Sequence, residues 1–337
     1  MTEKLMLPEG YASKLDVRQT EVAIKALKDF FERELAEQLN LTRVSAPLFV
    51  RPESGLNDNL NGIERPVSFD IIEQQGLICE IVQSLAKWKR MALGHYGFNP
   101  GEGLYTDMNA IRRDEYTDNI HSLYVDQWDW EKIILKEERT VETLEETVRR
   151  IYGVLLAAES FIGCRYPYIE RMLPPEITFI TAAELEAKYP GLSPHEREKA
   201  AAKEHGAIFL MGIGGKLPSG TPHDGRAPDY DDWSLNGDII VYCPLLDIGL
   251  ELSSMGVRVD EAALAAQLEE RGLSDRLKLD FHRSLMEGRL PYTIGGGIGQ
   301  SRLCMFFLRK AHIGEVQASV WPDDVAEACE RSGISLL

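Results

Sequence analysis

Residues Thr293 to Leu303 read "TIGGGIGQSRL": four glycines in five positions (Gly295, Gly296, Gly297, Gly299), then Arg302 at the start of an apolar stretch that reads as a helix. Glycine admits close backbone approach and positive φ at a cost in chain entropy. Such a cluster marks a turn, a tight packing contact or a seat for something large and anionic. The dinucleotide fingerprint needs a third glycine where helix packs on strand. Counting from Gly297 and Gly299, that position holds Arg302. A P-loop needs G-K-[ST], whereas in "MGIGGKL" Lys216 is followed by Leu217. What remains is a strand, a glycine turn and a helix with an arginine on its first turn.

The 337 residues can bury a substantial core as one large domain or two smaller ones. A hydrophobic fraction of 44% and a charged fraction of 27% are ordinary for a globular chain. Lysine and arginine number 37 against 54 acids, a net charge of −17. That surface repels nucleic acid, whose binding rests on phosphate neutralisation. No apolar run is long enough to cross a membrane; "GVLLAAESFIG" is broken by Glu159. "MTEKLMLPEG" lacks the basic-then-apolar pattern of a secretory leader. The five cysteines (Cys79, Cys164, Cys243, Cys304, Cys329) are scattered without a C-x-x-C pair. They read as reduced, buried thiols of a cytoplasmic protein.

Ile24, Leu27, Phe31, Leu35 and Leu39 recur at helical spacing within residues 14–40. "LTRVSAPLFV" follows as an extended segment whose Pro47 indicates an edge or interface. "GLICEIVQSL" reads as a strand leading into a helix, and "GLYTDMNAIRRDE" and "HSLYVDQWDWEKII" as strands. A charged helix covers roughly residues 140–160. "AIFLMGIGGKL", "GDIIVYCPLL" and "LELSSMGVRV" read as further strands, then two helical stretches precede the glycine segment. "KLPSGTPHDGRAPDYDDW" reads as a functional loop. The pattern predicts one α+β domain, residues 1–337, with an antiparallel sheet flanked by helices.

Strand, glycine turn and helix arginine resemble the third signature motif of class II aminoacyl-tRNA synthetases. "NAIRRDE" resembles the second, a strand arginine followed by an acid. The period of two puts Thr106, Met108, Ala110 and Arg112 on one face, with Glu115 in the loop beyond. The first helix plus "RVSAPLFV" resembles the first motif, which builds a dimer interface. "SLAKWKR", "GEGLYT", "YVDQWDWE", "RAPDYDDW", "LNGDI", "ELSSMG" and "IGGGIGQSRL" together look like ammonia-dependent asparagine synthetase, the aspartate–ammonia ligase family, over nearly the whole chain. The stretch between "DYDDW" and "LNGD" is about ten residues shorter than in some members.

The resemblance implies a class II synthetase-like catalytic domain that converts L-aspartate, ATP and ammonia to L-asparagine, AMP and pyrophosphate through a β-aspartyl-adenylate. A carboxylate must there attack a polyanion, so cations have to neutralise phosphate. Arg112 is implied at the α-phosphate, its planar fork matching oxyanions better than lysine. Arg302 is implied at the γ-phosphate, with Glu115, Gly295 and Gly297 around the nucleotide. Asp238 and Glu251 are implied as ligands of Mg2+, which takes oxygen donors. Strand alternation puts Gln127 and Asp129 on one face and Asp126 and Trp128 on the other. Gln127 and Asp129 are implied at aspartate and the acyl phosphate, joined by Ser84, Lys89, Arg226, Asp231, Ser254 and Arg258. Asp58 is implied to bind ammonium and take its proton; an Asx-turn in "GLNDNLNG" is its structural alternative.

Thr2 stands where a glutaminase nucleophile would be cysteine, so ammonia itself is the expected nitrogen donor. His121 reads as a structural histidine, and the tryptophans of "QWDWE" as core. A homodimer through the first helix and the Pro47 strand is expected, with no nucleic acid or membrane partner. The competing readings are an aspartyl- or asparaginyl-tRNA synthetase-like enzyme and a non-catalytic amino-acid-binding regulatory paralogue.

Overall fold

In the computed structural model, which describes residues 5–58, 60 and 64–337, the first helix is set by a reciprocal cap. The Gln19 amide donates to the Asp16 carboxylate at 2.8 Å, and the Asp16 amide donates to the Gln19 side chain at 3.1 Å. The resulting α1 (Val17–Leu39) ends at left-handed Asn40 and buries Ile24, Leu27, Phe31, Leu35 and Leu39. Phe31 stacks on Trp128 at 4.8 Å. Thr2 lies outside the described residues.

Along the chain follow β1 (Leu41–Arg43), β2 (Phe49–Val50), β3 (Ser68–Ile71), β4 (Gln74–Ile81), α2 (Ala86–Tyr96), β5 (Gly103–Ile111), β6 (Tyr124–Ile133) and α3 (Val141–Arg165). Then come β7 (Thr178–Thr181), α4 (Ala182–Lys188), α5 (Pro194–His205), β8 (Ala207–Met211), β9 (Asp231–Cys243) and β10 (Ile248–Arg258). The chain closes with α6 (Glu261–Glu270), α7 (Asp280–Met286), β11 (Thr293–Gly299), α8 (Gln300–Phe307) and α9 (Asp323–Arg331). The charged helix α3 thus runs past the expected residue 160 to Arg165, with Thr140 as its cap. No described helix is long and apolar enough to cross a membrane.

Eight strands form the main sheet in the order β1-β5-β6-β11-β10-β9-β8-β7. The sheet is mixed, not purely antiparallel as the sequence pattern predicted: β1 pairs with β5 and β7 with β8 in parallel. Both exceptions sit at the edges, where long connections intervene. α4 and α5 lie between β7 and β8, and the β2–α2 segment lies between β1 and β5. Parallel neighbours require such crossovers. The "GLICEI" strand joins neither: β4 pairs with β2 and β3 in a separate three-stranded sheet. α1, α3 and α8 bury one face of the main sheet against Trp128, Phe209, Leu250, Met255 and Ile298. α2 lies on the opposite face, where Ala92 and Leu93 pack on Leu104 and Ile133.

The glycine segment is not a turn. Gly295 to Gly299 are ladder residues of β11, paired with β6 on one side and β10 on the other. None of the four has a positive φ. The strand passes into α8 without a linker, and the buried Ser301 amide donates to Asp126 at 3.1 Å. In "DYDDWSLNGD", Asp231 to Asp238 are strand residues of β9, and Asp229 and Tyr230 precede it. Four of the five cysteines are buried as expected, Cys164 is exposed, and all five are free.

Candidate active site

The glycines of β11 make room for neighbours. A Cβ on Gly295 would collide with the Glu131 carboxylate and stand 2.7 Å from an Arg258 nitrogen. On Gly297 it would stand 2.5 Å from Gln127 Oε1 and 2.8 Å from Asp129 Oδ1. On Gly296 it would meet Met255 Cβ at 2.6 Å. The strand is therefore a flat floor across which polar side chains of β6 and β10 lean. It borders a cavity of about 780 Å³.

Arg258 ends β10 and is 3% exposed. Its Nε donates to Glu131 at 3.0 Å, Nη2 donates to the same carboxylate at 2.8 Å, and Nη1 donates to Asp231. Thr293 adds a hydroxyl to Glu131 at 2.7 Å. Burial alone would raise the Glu131 carboxyl, but Arg258 and Lys89 hold it below its ordinary value. Lys89, 1% exposed on α2, donates to the Gly296 carbonyl at 2.9 Å and pairs with Asp129 at 3.3 Å. Burial depresses its pKa against the pull of Asp129. A buried pair costs about 3–5 kcal/mol when one member is removed, because the other charge is left without compensation.

Farther along β9 and β10, Arg226 from the long loop donates to Asp238 at 2.7 Å and to the Ser254 hydroxyl at 2.6 Å. Burial pushes the Asp238 carboxyl up; Arg226 opposes that, and the neighbouring charge of Glu251 adds to it. Glu251 meets Arg302 of α8 at 3.4 Å, a loose contact with the carboxylate side chain 44% exposed. Arg302 also donates to the carbonyls of Glu251 and Ile120, both at 3.3 Å. Arg112 follows the last residue of β5, and its amide extends the ladder to the Leu123 carbonyl at 2.9 Å. Its Nε is buried with no hydrogen-bond partner among the described residues. Glu115 closes the turn beyond by donating its amide to the Arg112 carbonyl at 3.1 Å.

The cavity is bordered by Arg112, Glu115, Arg302 and Glu251 and by Ser84, Lys89, Gln127, Asp129, Arg226, Asp231, Ser254 and Arg258. Gly297 and Asp58 border it too. Gly295 and Asp238 are not among its lining residues. The first sits under Glu131 and Arg258; the second is reached through Arg226. His121 lines the cavity with its Nδ1 on Asp118 at 3.0 Å, a satisfied histidine as read. Trp128 and Trp130 are fully buried, as core.

Asp58 is 2% exposed. Its carboxylate accepts the Leu60 amide at 3.0 Å, so the Asx-turn is present alongside the cavity position. Burial raises its pKa; Lys87 and Arg112 pull the other way.

Several participants escaped the sequence reading. Glu131 lies inside the quoted "QWDWE" but was read only as strand. Gln83, one residue before Ser84, lines the cavity. Asp229 is fully buried and receives Lys87 at 3.2 Å, Arg276 at 3.0 Å and His282 at 2.9 Å on one oxygen. Local sequence carries no sign of these partners, which lie 142, 47 and 53 residues away.

This fold is that of the catalytic domains of class II aminoacyl-tRNA synthetases. The asparaginyl-tRNA synthetase of Pyrococcus horikoshii complexed with asparaginyl-adenylate matches 91% of the chain at a TM-score of 0.63 and 16% identity, over 71% of its own length. The Entamoeba histolytica asparaginyl-tRNA synthetase matches 89% at a TM-score of 0.62 and 14% identity; the chain spans 66% of it. The family model for aspartate–ammonia ligase matches residues 18–333. An aspartate–ammonia ligase of Clostridium perfringens is 65% identical over 335 residues, 99% of this chain and all of that one. The chain belongs to the aspartate–ammonia ligase family, a family of carbon–nitrogen ligases.

Proposed function

We propose that this chain amidates L-aspartate with ammonia at the expense of ATP, through a β-aspartyl-adenylate formed and consumed in the one cavity. The supporting observation is convergence: Arg112 and Arg302, from β5 and α8, face the same space as Glu251 and the Lys89–Asp129 pair. Arg112 carries a buried Nε with no partner among the described residues. Such a donor is costly to leave unmade and is satisfied by an incoming oxyanion.

In the first step an oxygen of aspartate's β-carboxylate attacks the α-phosphorus, and the bond to pyrophosphate breaks. Arg112 holds the α-phosphate and the attacking carboxylate together, and Arg302 holds the γ-phosphate end. Asp129 accepts from the α-ammonium group. Gln127 lies beside it across Gly297 and bridges to the acyl phosphate. Ser84, Lys89, Arg226, Asp231, Ser254 and Arg258 shape the rest of the aspartate pocket, with Glu115 and Gly297 on the nucleotide side.

Mg2+ fits the carboxylates of Asp238 and Glu251. They are hard oxygen donors on paired strands, each already beside an arginine, Arg226 at Asp238 and Arg302 at Glu251. When bound, the ion neutralises phosphate charge and holds the triphosphate in line. In the second step the Asp58 carboxylate takes a proton from bound ammonium, the ammonia nitrogen attacks the acyl carbon, the bond to AMP breaks, and the second proton leaves to solvent.

The chain is read as a single catalytic domain of the cytoplasm acting as a homodimer. Val17 and Val22 on α1, and Leu48 and Phe49 beside Pro47, expose apolar surface where that interface is expected. Sedimentation is expected to give twice 37.9 kDa; a monomer would contradict the interface. Incubation with aspartate, MgATP and ammonium chloride is expected to yield asparagine and AMP together. Consumption of the adenylate by tRNA instead of ammonia would replace this reading with a tRNA-charging one, which the −17 charge opposes.

A further inference from the structure

We infer that Gln83 forms the second wall of the ammonium site, its side-chain carbonyl facing the donor together with the Asp58 carboxylate. The inference rests on the Asp58 reading above and adds a residue to it. Gln83 is fully buried and lines the cavity beside Asp58. Its Nε2 donates to the Asp58 main-chain carbonyl at 3.0 Å. A main-chain carbonyl only accepts, so this bond fixes which way the amide points. Oε1 is thereby left as an acceptor, and it has no hydrogen-bond partner among the described residues.

Asp58 is in a similar condition. It is buried and forms no ion pair among the described residues. Apart from the Leu60 amide, no donor is recorded on its carboxylate among them. Asn57 holds the two residues in register. Its Oδ1 accepts the amides of Asp58 and Gln83, both at 2.9 Å, while its Nδ2 donates to Ile81 at the end of β4 at 3.2 Å.

Two desolvated acceptors with no cation between them suit a small species that brings only donors. Ammonium has four N–H groups and no lone pair. Water can donate to both but brings no charge to offset a buried carboxylate, and a lysine would arrive tethered. The carboxylate takes a proton, while the amide oxygen, which does not titrate in this range, keeps the nitrogen in place as it becomes nucleophilic.

The test separates the half-reactions. Gln83→Met keeps length and removes the acceptor. Its KM for ammonium is expected to rise about tenfold or more, as for loss of a hydrogen bond to a charged donor. Aspartate-dependent exchange of pyrophosphate into ATP and the KM for aspartate stay within about twofold. Gln83→Glu retains an acceptor oxygen and is expected to return the ammonium KM to within about threefold of wild type. An unchanged ammonium KM in Gln83→Met overturns the inference, as does an equal fall in exchange and amide formation. If Gln83→Met does not fold, Gln83→Glu decides alone: a tenfold rise in its ammonium KM with normal exchange overturns the inference. A normal amide rate in Asp58→Asn beside a raised ammonium KM in Gln83→Met removes the Asp58 reading and leaves Gln83 standing.

Discussion

Two polar clusters that border the cavity are built differently. In the first, Arg258 makes its bonds to Glu131 and Asp231 within a shell that is at most 3% exposed, and Thr293 and Lys89 close it. In the second, Arg302 reaches a half-exposed Glu251 at 3.4 Å, and the Arg112 Nε has no partner among the described residues. The Glu131–Arg258–Asp231 cluster has its partners in place, although the Nε of nearby Arg226 has none among the described residues. The second is looser, and under the proposed function its hydrogen-bonding capacity is what phosphate would take up. A substitution in one cluster is therefore a folding experiment, and in the other a kinetic one.

The sharpest break would come from Glu131→Ala, expected to destabilise by about 3–5 kcal/mol because it strands Arg258 in the interior. Urea unfolding measures it, and a loss under about 1 kcal/mol would erase the contrast. Arg112→Ala and Arg302→Ala are expected to cut AMP formation by about 10² or more in kcat. Their unfolding midpoints should shift by less than about 0.5 kcal/mol. Near-normal turnover in either would remove the phosphate grip.

Within β11 the same contrast can be drawn one residue apart. Gly296→Ala, facing Met255, is expected to cost about 1–3 kcal/mol of stability through overpacking. Gly297→Ala should chiefly raise the KM for aspartate, since its new methyl meets the movable ends of Gln127 and Asp129.

The subtlest contrast lies in pH dependence. Against burial, Arg258 and Lys89 hold Glu131 below 4.5, so its stabilisation is present above that pH and is lost as pH falls through its native pKa. Burial holds Asp58 above 3.8, so its contribution is favourable at low pH and is lost as pH rises through its native pKa. Asp58→Asn should therefore stabilise the protein near neutrality, with the gain vanishing below 3.8. Denaturation across pH reads both signs, and an Asp58→Asn protein less stable at neutral pH would show that corner to be compensated.

Much of this was legible in the chain. The period of two placed Arg112 on the face of Thr106, Met108 and Ala110, and those three are 1% exposed beside it. Alternation likewise separated Gln127 and Asp129 from Trp128. What local sequence lacked was the identity of cross-strand partners. The glycines looked like a turn because what excludes a side chain there, Glu131 or Met255, belongs to another strand. The parallel edges were hidden because pairing direction follows from crossovers and not from residue pattern. Asp229 and Gln83 were missed for the same reason: each is defined by neighbours distant in the chain.

The junction of β11 and α8 has one more consequence. An α-helix that begins at a ligand site normally presents free main-chain amides and the positive end of its dipole to phosphate. Here the Ser301 amide at that end is already engaged by Asp126, whose carboxylate also receives Lys28 at 2.9 Å and Gln317 at 3.2 Å. An anion arriving at α8 would meet a terminus whose Ser301 amide is already engaged, so under the proposed function the grip on triphosphate would rest more on side chains. Partly exposed guanidinium groups are screened by salt, and nucleotide affinity in this protein should weaken with ionic strength more steeply than in enzymes that cradle phosphate on backbone.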